Sequence, residues 1–306
     1  MTLRLIAGAG PTGSATAQIL ADAGDRVRLV SRRGAGPDHP LIERVRADAS
    51  DPGQLTEVAE GAATIFNCVM PPYDQWADLW PPLATSLLQT AERVRADYVM
   101  LGNAYAYGDV PVMTEITPIE PSSVKGRVKA KMWTDALAAQ EAGRVRVTEV
   151  RASDYLGAAA GSVFNFTVTQ QVLRGQPVLY PAPVDVPHAW TAVGDVGRAL
   201  ATIGLDDRAF GRAWHVPSVA VWSVRDLTER LAKLTGSPVP DVRGMSYEDL
   251  VEAGANDAIL QELVEIFYLD AKPIVFDTTL TEETFALTTS SLDDVLLDTA
   301  AVPPPT

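Results

Sequence analysis

The stretch LRLIAGAGPTGSATAQILADAG, residues 3–24, runs from an apolar strand through a glycine-rich turn into a helix that ends at Gly24. Its G-x-G-x-x-G pattern follows the strand directly and begins the helix. In this context the motif is a strong indication of dinucleotide binding. The first glycine permits the tight turn, the second lets the backbone approach a pyrophosphate, and the third allows close helix–strand packing. The helix N-terminus then faces the phosphate charge. The pattern predicts a dinucleotide site formed by Gly8, Gly10, Pro11, Thr12 and Gly13; a glycine-rich turn without a ligand is the alternative.

The rest of the first 150 residues continues this alternation of strands and helices. The predicted strands are DRVRLVS, ERVRADAS, ATIFNCVM, DYVMLGN and RVRVTEVRA. Alternation of this kind is typical of βαβ units, and it predicts an α/β fold with a parallel sheet. Within QWADLWPPLATSLLQTAERV, the pair Pro81-Pro82 is predicted to break or to begin the helix. Beyond residue 151 the alternation loosens, with a helix in TAVGDVGRAL, a strand in RAWHVPS and a helix capped by Ser223.

Composition and charge exclude several classes of function. Of 306 residues, 47% are hydrophobic and 21% charged, as is usual for globular proteins, and the formal net charge is −14. Such an acidic chain lacks the basic face that nucleic-acid binding requires. No apolar run approaches the roughly 18 residues of a membrane span. The glycine turn begins too early for a signal peptide, and the single cysteine, Cys68, fits a reducing cytoplasm. The three histidines lie far apart in sequence, which argues against a zinc site.

The residues after the second predicted strand indicate which dinucleotide binds. A site that prefers NAD(H) usually has Asp or Glu there for the ribose 2′-hydroxyl. This chain instead has Ser31, Arg32 and Arg33, and an arginine can bind a 2′-phosphate bidentately. We therefore predict NADP(H) rather than NAD(H), with solvated loop cations as the alternative. Asp48, at the end of the third strand, lies where a carboxylate could contact the adenine.

These segments resemble the short-chain dehydrogenase/reductase superfamily, in its extended or atypical branch of NAD-dependent epimerase/dehydratase-like proteins. The resemblance covers nearly the whole chain and includes GAGPTG, RADASD, NCVMPP, GNAYAYG and TAVGDVGRAL. It implies a Rossmann-type, doubly wound parallel sheet with a smaller C-terminal substrate lobe. The implied NADP-binding domain comprises residues 1–153 and 191–217, and the lobe comprises residues 154–190 and 218–300. Residues 301–306 are predicted to be a disordered tail.

The resemblance also assigns the active site, with one departure. It places Asn103 where the family has a catalytic serine or threonine, and Lys129 at the lysine that binds the nicotinamide ribose. The family's catalytic tyrosine position holds Lys125. The two lysines are i and i+4 on one helical face, so we expect each to depress the pKa of the other, as partial burial also would. A role for Lys125 in catalysis or substrate binding and plain surface exposure are both left open.

Further candidates lie at the predicted cleft. Tyr105 and Tyr107 follow the fifth strand and could replace the missing proton donor, or they could simply pack against the cofactor wall. After the sixth strand, and in the segment that often covers the substrate in relatives, the candidate substrate contacts are Asp154, Tyr155, His188 and Trp190. For each of these, an ordinary structural role is the alternative.

The favoured function is an NADP(H)-dependent oxidoreductase, or an epimerase/dehydratase-like enzyme, acting on a small hydroxylated or carbonyl-bearing molecule. We expect a small-molecule substrate and no nucleic-acid or membrane partner, and a homodimer is compatible with the resemblance. Two alternatives remain. One is a cofactor-binding redox sensor without turnover, like the NmrA-like proteins, and the other is non-redox chemistry on the same scaffold.

Overall fold

The computed structural model describes residues 1–301. The strands are β1 (Leu3–Ala7), β2 (Arg26–Ser31), β3 (Ile42–Arg46), β4 (Thr64–Asn67), β5 (Asp97–Asn103), β6 (Val112–Met113), β7 (Val147–Ala152), β8 (Asp154–Leu156), β9 (Val178–Tyr180), β10 (His188–Ala192), β11 (Ala213–His215), β12 (Ala220–Trp222), β13 (Val242–Gly244) and β14 (Val275–Phe276). The α-helices are α1 (Pro11–Asp22), α2 (Pro52–Ala59), α3 (Trp76–Val94), α4 (Val124–Glu141), α5 (Gln170–Leu173), α6 (Val193–Ile203), α7 (Val224–Thr235), α8 (Tyr247–Gly254), α9 (Ala258–Val264), α10 (Thr279–Phe285) and α11 (Leu292–Ala301).

Seven parallel strands form the central sheet, in the order β11-β7-β5-β4-β1-β2-β3. The chain winds outward from β1 in one direction through β2 and β3, and in the other through β4, β5 and β7. The carboxyl ends of β1 and β4 therefore flank the point where the winding reverses, which is where α/β sheets bind ligands. This arrangement confirms the predicted doubly wound fold.

Helices cover both faces of the sheet. One apolar core lies beneath α2, α3 and α4, and a second lies beneath α1 and α6. Close contact between α1 and α6 depends on Gly197, where a Cβ atom would lie 3.0 Å from the Cβ atom of Ala15. Helix α6 and strand β11 return the chain to the central sheet after an excursion into the lobe. Because the chain leaves the central sheet and returns to it in this way, we propose the domain boundaries that the sequence predicts.

The prediction that Pro81-Pro82 breaks or begins a helix was wrong, because α3 runs through both prolines. A proline removes the bond that its N–H would give to the carbonyl four residues back. Here both prolines are exposed, and so are Ala77 and Asp78, whose carbonyls lose their partners. Water can satisfy these carbonyls, while Trp76, Trp80, Leu83 and Leu87 keep the opposite face of the helix buried.

The lobe is built from short strands and has its own apolar core. Strands β12, β10 and β8 form a three-stranded sheet, and β13-β9 and β14-β6 form two pairs. Its core lies beneath α7 and α11, and Ser223 caps α7 as predicted, with Asp226 completing a capping box. No helix among residues 1–301 combines the length and the apolar character needed to cross a membrane. Of the tail predicted for 301–306, only the end of α11 lies within the described residues.

Candidate functional site

Two glycines shape the turn between β1 and α1 by close packing. Gly8 has φ of +104°, and a Cβ atom there would lie 2.4 Å from the carbonyl oxygen of Cys68. A Cβ atom on Gly13 would lie 1.9 Å from the carbonyl oxygen of Gly8. Neither position can carry a larger side chain unless the backbone shifts. The turn is therefore held tightly against the end of β4.

Gly10 differs from these two because its surroundings are open. Its φ of −72° suits any residue, and a Cβ atom there would meet no atom of residues 1–301 within 4 Å. Gly10 is also the N-cap of α1, where no side chain accepts a hydrogen bond from the helix and the first turn has no acidic residue. The free N–H groups and the positive end of the helix dipole remain available for an anion. The space and the donors fit the pyrophosphate of a dinucleotide.

The loop after β2 adds two free cations to this edge of the sheet. Arg32 and Arg33 are exposed, and neither forms a hydrogen bond or an ion pair with another side chain in the part of the chain that the structure describes. Ser31 stabilises the loop, since its Oγ accepts a hydrogen bond of 3.0 Å from the N–H of Ala35. Asp48, beyond β3, is exposed and accepts hydrogen bonds from the backbone and hydroxyl of Ser50. These residues follow adjacent parallel strands, so they lie along one edge.

Lys129 is buried between α4 and α3. Its Nζ atom lies 4.0 Å from the ring centroid of Trp80 and 5.1 Å from that of Trp76. Burial lowers the pKa of Lys129 to about 8, against an opposing effect of Glu149. Desolvation, rather than the neighbouring Lys125, therefore accounts for the lowered pKa. Burial is one of the two causes expected from the sequence; repulsion by Lys125, the other, is not among the causes of the shift.

Lys125 is also buried, with 2% of its side chain exposed, so that plain surface exposure is wrong as an account of this residue. Its Nζ atom lies 2.9 Å from Oε1 of Glu265 and also contacts Glu262. Both glutamates come from the segment at α9 in the lobe. The same ammonium lies 4.5 Å from the ring centroid of Tyr73. Lys125 therefore joins the start of α4 to the lobe.

Tyr73 lies between Lys125 and the residues at the end of β5. Its hydroxyl lies 3.1 Å from the hydroxyl of Tyr105, and the Oδ1 atom of Asn103 accepts a hydrogen bond from the N–H of Tyr105. Burial raises the pKa of Tyr105 well above its ordinary value, and the charges of Asp154 and Asp270 raise it further. The tyrosine pair is consequently protonated at neutral pH.

Asp154 and His188 come together with Asp270, which sequence analysis did not select. His188 Nε2 lies 3.3 Å from Oδ2 of Asp154 and 4.0 Å from Oδ1 of Asp270. Burial lowers the pKa of His188, although Asp154 and the Val186 carbonyl oppose this, so the ring is neutral at pH 7. Desolvation raises the pKa values of both carboxyl groups, and for Asp270 the charge of Asp154 adds to the effect.

The remaining predicted residues are packed into the interior. The Tyr107 hydroxyl lies 2.5 Å from Nε2 of His215, and the guanidinium of Arg151 lies 4.7 Å from the Tyr107 ring. Arg151 also pairs with Glu149, and both side chains are almost fully buried. Trp190 is 1% exposed, and its Nε1 donates to the carbonyl of Trp222. Tyr155 packs against the core beneath α1 and α6, and burial raises its pKa.

Sequence analysis missed Tyr73, which follows β4, and three residues that the lobe contributes: Glu262, Glu265 and Asp270. The glutamates lie more than 130 residues from Lys125, and no local pattern connects them. Only Tyr73 carried a signal, because it follows β4 in the segment NCVMPPY at the edge where α/β sheets place their ligands.

Solved structures of known proteins share this fold. The protein has the fold of the UDP-glucose 4-epimerase of Thermotoga maritima, solved with UDP-glucose, at 17% identity and a TM-score of 0.79, with 98% of each chain covered. For the dTDP-glucose 4,6-dehydratase of Bacillus anthracis, solved with NAD, the identity is 16%, the TM-score 0.80 and the coverage 98% of this chain and 96% of that one. MoeE5, solved with UDP-glucuronic acid and NAD, is 22% identical with a TM-score of 0.78 and 96% of each chain covered.

At these identities the solved structures establish the fold alone. No curated protein matches the sequence. The model of the NAD dependent epimerase/dehydratase family, by contrast, matches residues 5–214, which is more than half of the chain. The matched range spans the positions of the glycine turn, of Tyr73 and Tyr105 and of both lysines. The resemblance predicted from the sequence is confirmed, and the chain belongs to the NAD dependent epimerase/dehydratase family.

Proposed function

We propose that this protein is an NADP(H)-dependent oxidoreductase, or an epimerase/dehydratase-like enzyme, whose substrate is a small hydroxylated or carbonyl-bearing molecule. Membership of the family supports an enzyme that uses a nicotinamide cofactor. Several relatives of the same fold were solved with NAD and with UDP-sugars, which makes sugar nucleotides the first substrates to test. The acidic composition and the single cysteine support a cytoplasmic protein.

The turn and the open space at Gly10 would hold the pyrophosphate, and Arg32 and Arg33 would hold a 2′-phosphate. When bound, the cofactor supplies the hydride acceptor or donor. The choice of NADP(H) over NAD(H) rests on the two arginines, which are exposed and make no ion pair within residues 1–301. Two fixed cations without carboxylate partners attract the additional phosphate of NADP(H).

We assign proton transfer to Tyr105 rather than to Lys125, and the 3.1 Å contact between the Tyr73 and Tyr105 hydroxyls carries this assignment. Lys125 is held by two glutamates, so it is a positioning residue that fixes the lobe against α4. The raised pKa of Tyr105 keeps its hydroxyl protonated at neutral pH, so a proton is available for reduction of a carbonyl group; efficient transfer requires that bound substrate or cofactor lower this pKa toward the operating pH. As the proton leaves, the Tyr73 hydroxyl would donate a hydrogen bond to the phenolate oxygen of Tyr105.

The test uses absorbance to follow NADPH oxidation with small carbonyl compounds and NADP⁺ reduction with hydroxylated compounds. UDP- and dTDP-sugars are followed by chromatography of their products, because epimerisation or dehydration leaves no net change in the cofactor. For any compound that is turned over, we expect Tyr105→Phe to lower kcat by about 10²-fold or more, which is the usual contribution of a general acid. NADPH affinity should not change, and Tyr247→Phe, at an exposed tyrosine in the lobe, should behave as wild type. Full turnover by Tyr105→Phe would contradict the assignment.

A second candidate function is an NADP(H)-binding sensor without turnover. The observation that favours it is the ion pair between Lys125 and Glu265. Lys125 stands at the family's usual proton-donor position, and the ion pair engages its ammonium group. The same assay distinguishes the two functions. Tight NADPH binding with no turnover of any compound in the panel would favour the sensor, whereas loss of activity in Tyr105→Phe would favour the enzyme.

A further inference from the structure

His188 has an unusual environment for a buried histidine. It is 3% exposed, and neither of its ring nitrogens hydrogen-bonds to any group within residues 1–301. The Val186 carbonyl and the Asp154 carboxylate are close enough to influence its pKa, yet the hydrogen-bond geometry is not met. A buried polar group without a partner costs free energy, so its persistence requires an explanation.

The other two histidines lie in ordinary environments, in which the ring nitrogens have partners. Both ring nitrogens of His215 have partners, the hydroxyl of Tyr107 at 2.5 Å and the carbonyl of Asp277 at 3.0 Å. His39 accepts a hydrogen bond from the N–H of Leu41, and its Nε2 atom lies 3.4 Å from a carboxylate oxygen of Asp22. His188 alone directs a free nitrogen at two carboxylates.

The two carboxylates complete a set of ligand atoms. One atom each from Asp154, His188 and Asp270 lies within 4.8 Å of the other two. Without a cation, the site brings two carboxyl groups together beside an imidazole, and their mutual repulsion is uncompensated. A metal ion at the centre would satisfy all three groups, with bond lengths of about 2.0–2.2 Å after a small contraction of the site.

We propose that Asp154, His188 and Asp270 form a binding site for a divalent transition-metal ion such as Zn²⁺. One imidazole and two carboxylates are ligands that such ions accept, and the imidazole disfavours Mg²⁺. Three protein ligands leave at least one coordination position open. Half of the Asp154 side chain is exposed whereas His188 is enclosed, so a further ligand would reach the ion from the side of Asp154. Sequence analysis argued against a zinc site because the three histidines lie far apart in the sequence. In the folded chain the additional ligands are carboxylates from distant segments.

The site has a direct test that needs neither cofactor nor substrate. Zn²⁺ is titrated into metal-free protein by calorimetry at pH 7.5, and Co²⁺ is used in parallel because its visible absorption bands report coordination. Asp154→Asn and Asp270→Asn keep the shape of the side chain and remove its charge. His39→Asn is the matched control, since His39 contacts a single carboxylate at the surface. Thermal melts of each variant check that it is folded.

We expect one Zn²⁺ per chain, a Kd in the micromolar range or below, and absorption bands of Co²⁺ bound to nitrogen and oxygen. Loss of one ligand should weaken binding by at least about 10–100-fold, the cost usually seen for groups that only support a ligand. His39→Asn should bind Zn²⁺ as wild type does. Absence of saturable binding, or equal affinity in Asp154→Asn, Asp270→Asn and wild type, would overturn the proposal. Because the assay contains no cofactor, failure here leaves the proposed function standing.

Discussion

The Nζ atom of Lys125 lies 2.9 Å from Oε1 of Glu265, which joins the first turn of α4 to the lobe. Lysine is disfavoured in the first turn of a helix, because it adds positive charge to the positive end of the helix dipole. Glu265 compensates for this charge and also accepts a hydrogen bond of 2.6 Å from the N–H of Val124, one of the free donors of the helix start. One glutamate thus satisfies both the lysine and the end of the helix.

Replacing Lys125 should therefore affect stability more than cofactor affinity. Lys125→Met removes the cation and leaves Glu262 and Glu265 partly buried without their partner. We expect a loss of on the order of 1–3 kcal/mol in the free energy of unfolding, measured with urea, and an unchanged Kd for NADPH. The double variant Lys125→Met/Glu265→Gln should recover part of that loss. A fully stable Lys125→Met would contradict the role of the ion pair.

Two substitutions in the glycine turn should differ in their effects on stability and on NADPH binding. Gly10→Ala adds a methyl group where nothing lies within 4 Å, so we expect an unchanged melting temperature but weaker NADPH binding. Gly13→Ala places its methyl group 1.9 Å from a backbone oxygen, so it should destabilise the fold itself, by about 1–3 kcal/mol. Thermal melts and NADPH titrations of both variants provide the comparison. If Gly10→Ala bound NADPH as well as wild type, the space above Gly10 would not be the phosphate site.

Lys129 should make the stability of the protein depend on pH. Its pKa is lowered from 10.5 to about 8 in the folded state, so the unfolded chain binds the extra proton between these values. Stability should therefore rise as the pH increases from about 8 to 10.5, and the destabilising effect of the buried charge is complete below pH 8. In Lys129→Met this rise should disappear.

The difference in unfolding free energy between Lys129→Met and wild type should shift by on the order of 1–3 kcal/mol across that pH range. Lys131→Met is the control, since Lys131 is an exposed lysine on the same helix and pairs with Asp135. Its pH dependence should match that of wild type. Parallel curves for Lys129→Met and Lys131→Met would show that Lys129 is not buried in its charged form.

Much of the fold could be predicted from the sequence because its determinants are local. Alternating strands and helices, the glycine turn and the cap at Ser223 each depend on a few neighbouring residues, and the structure contains all of them. The helix through Pro81 could not be predicted in this way, because its continuity depends on which face of α3 is exposed. That face is set by packing of Trp76 and Trp80 against the sheet.

The site was less accessible to sequence analysis. Lys125 could be located from the motif, but its glutamate partners lie in α9 and just beyond it. Asp270 belongs to a segment with no recognisable pattern, and it lies near His188 because the chain just beyond it pairs with β10 through a bridge between Ile274 and His188. Contacts between segments so far apart in sequence are determined by the tertiary fold, and local patterns carry no information about them.

The affinity for the two cofactors tests the central claim most directly. Dissociation constants for NADPH and NADH are measured by fluorescence titration at low salt in wild type and in Arg32→Ala/Arg33→Ala. The control is Arg26→Ala, at an exposed arginine that begins the same strand, β2, at the opposite edge of the sheet. We predict that wild type and the control bind NADPH more tightly than NADH, and that the double variant loses most of this preference, on the order of 1–3 kcal/mol for charge-assisted contacts. Equal affinities in wild type, or tighter binding of NADH, would contradict the account.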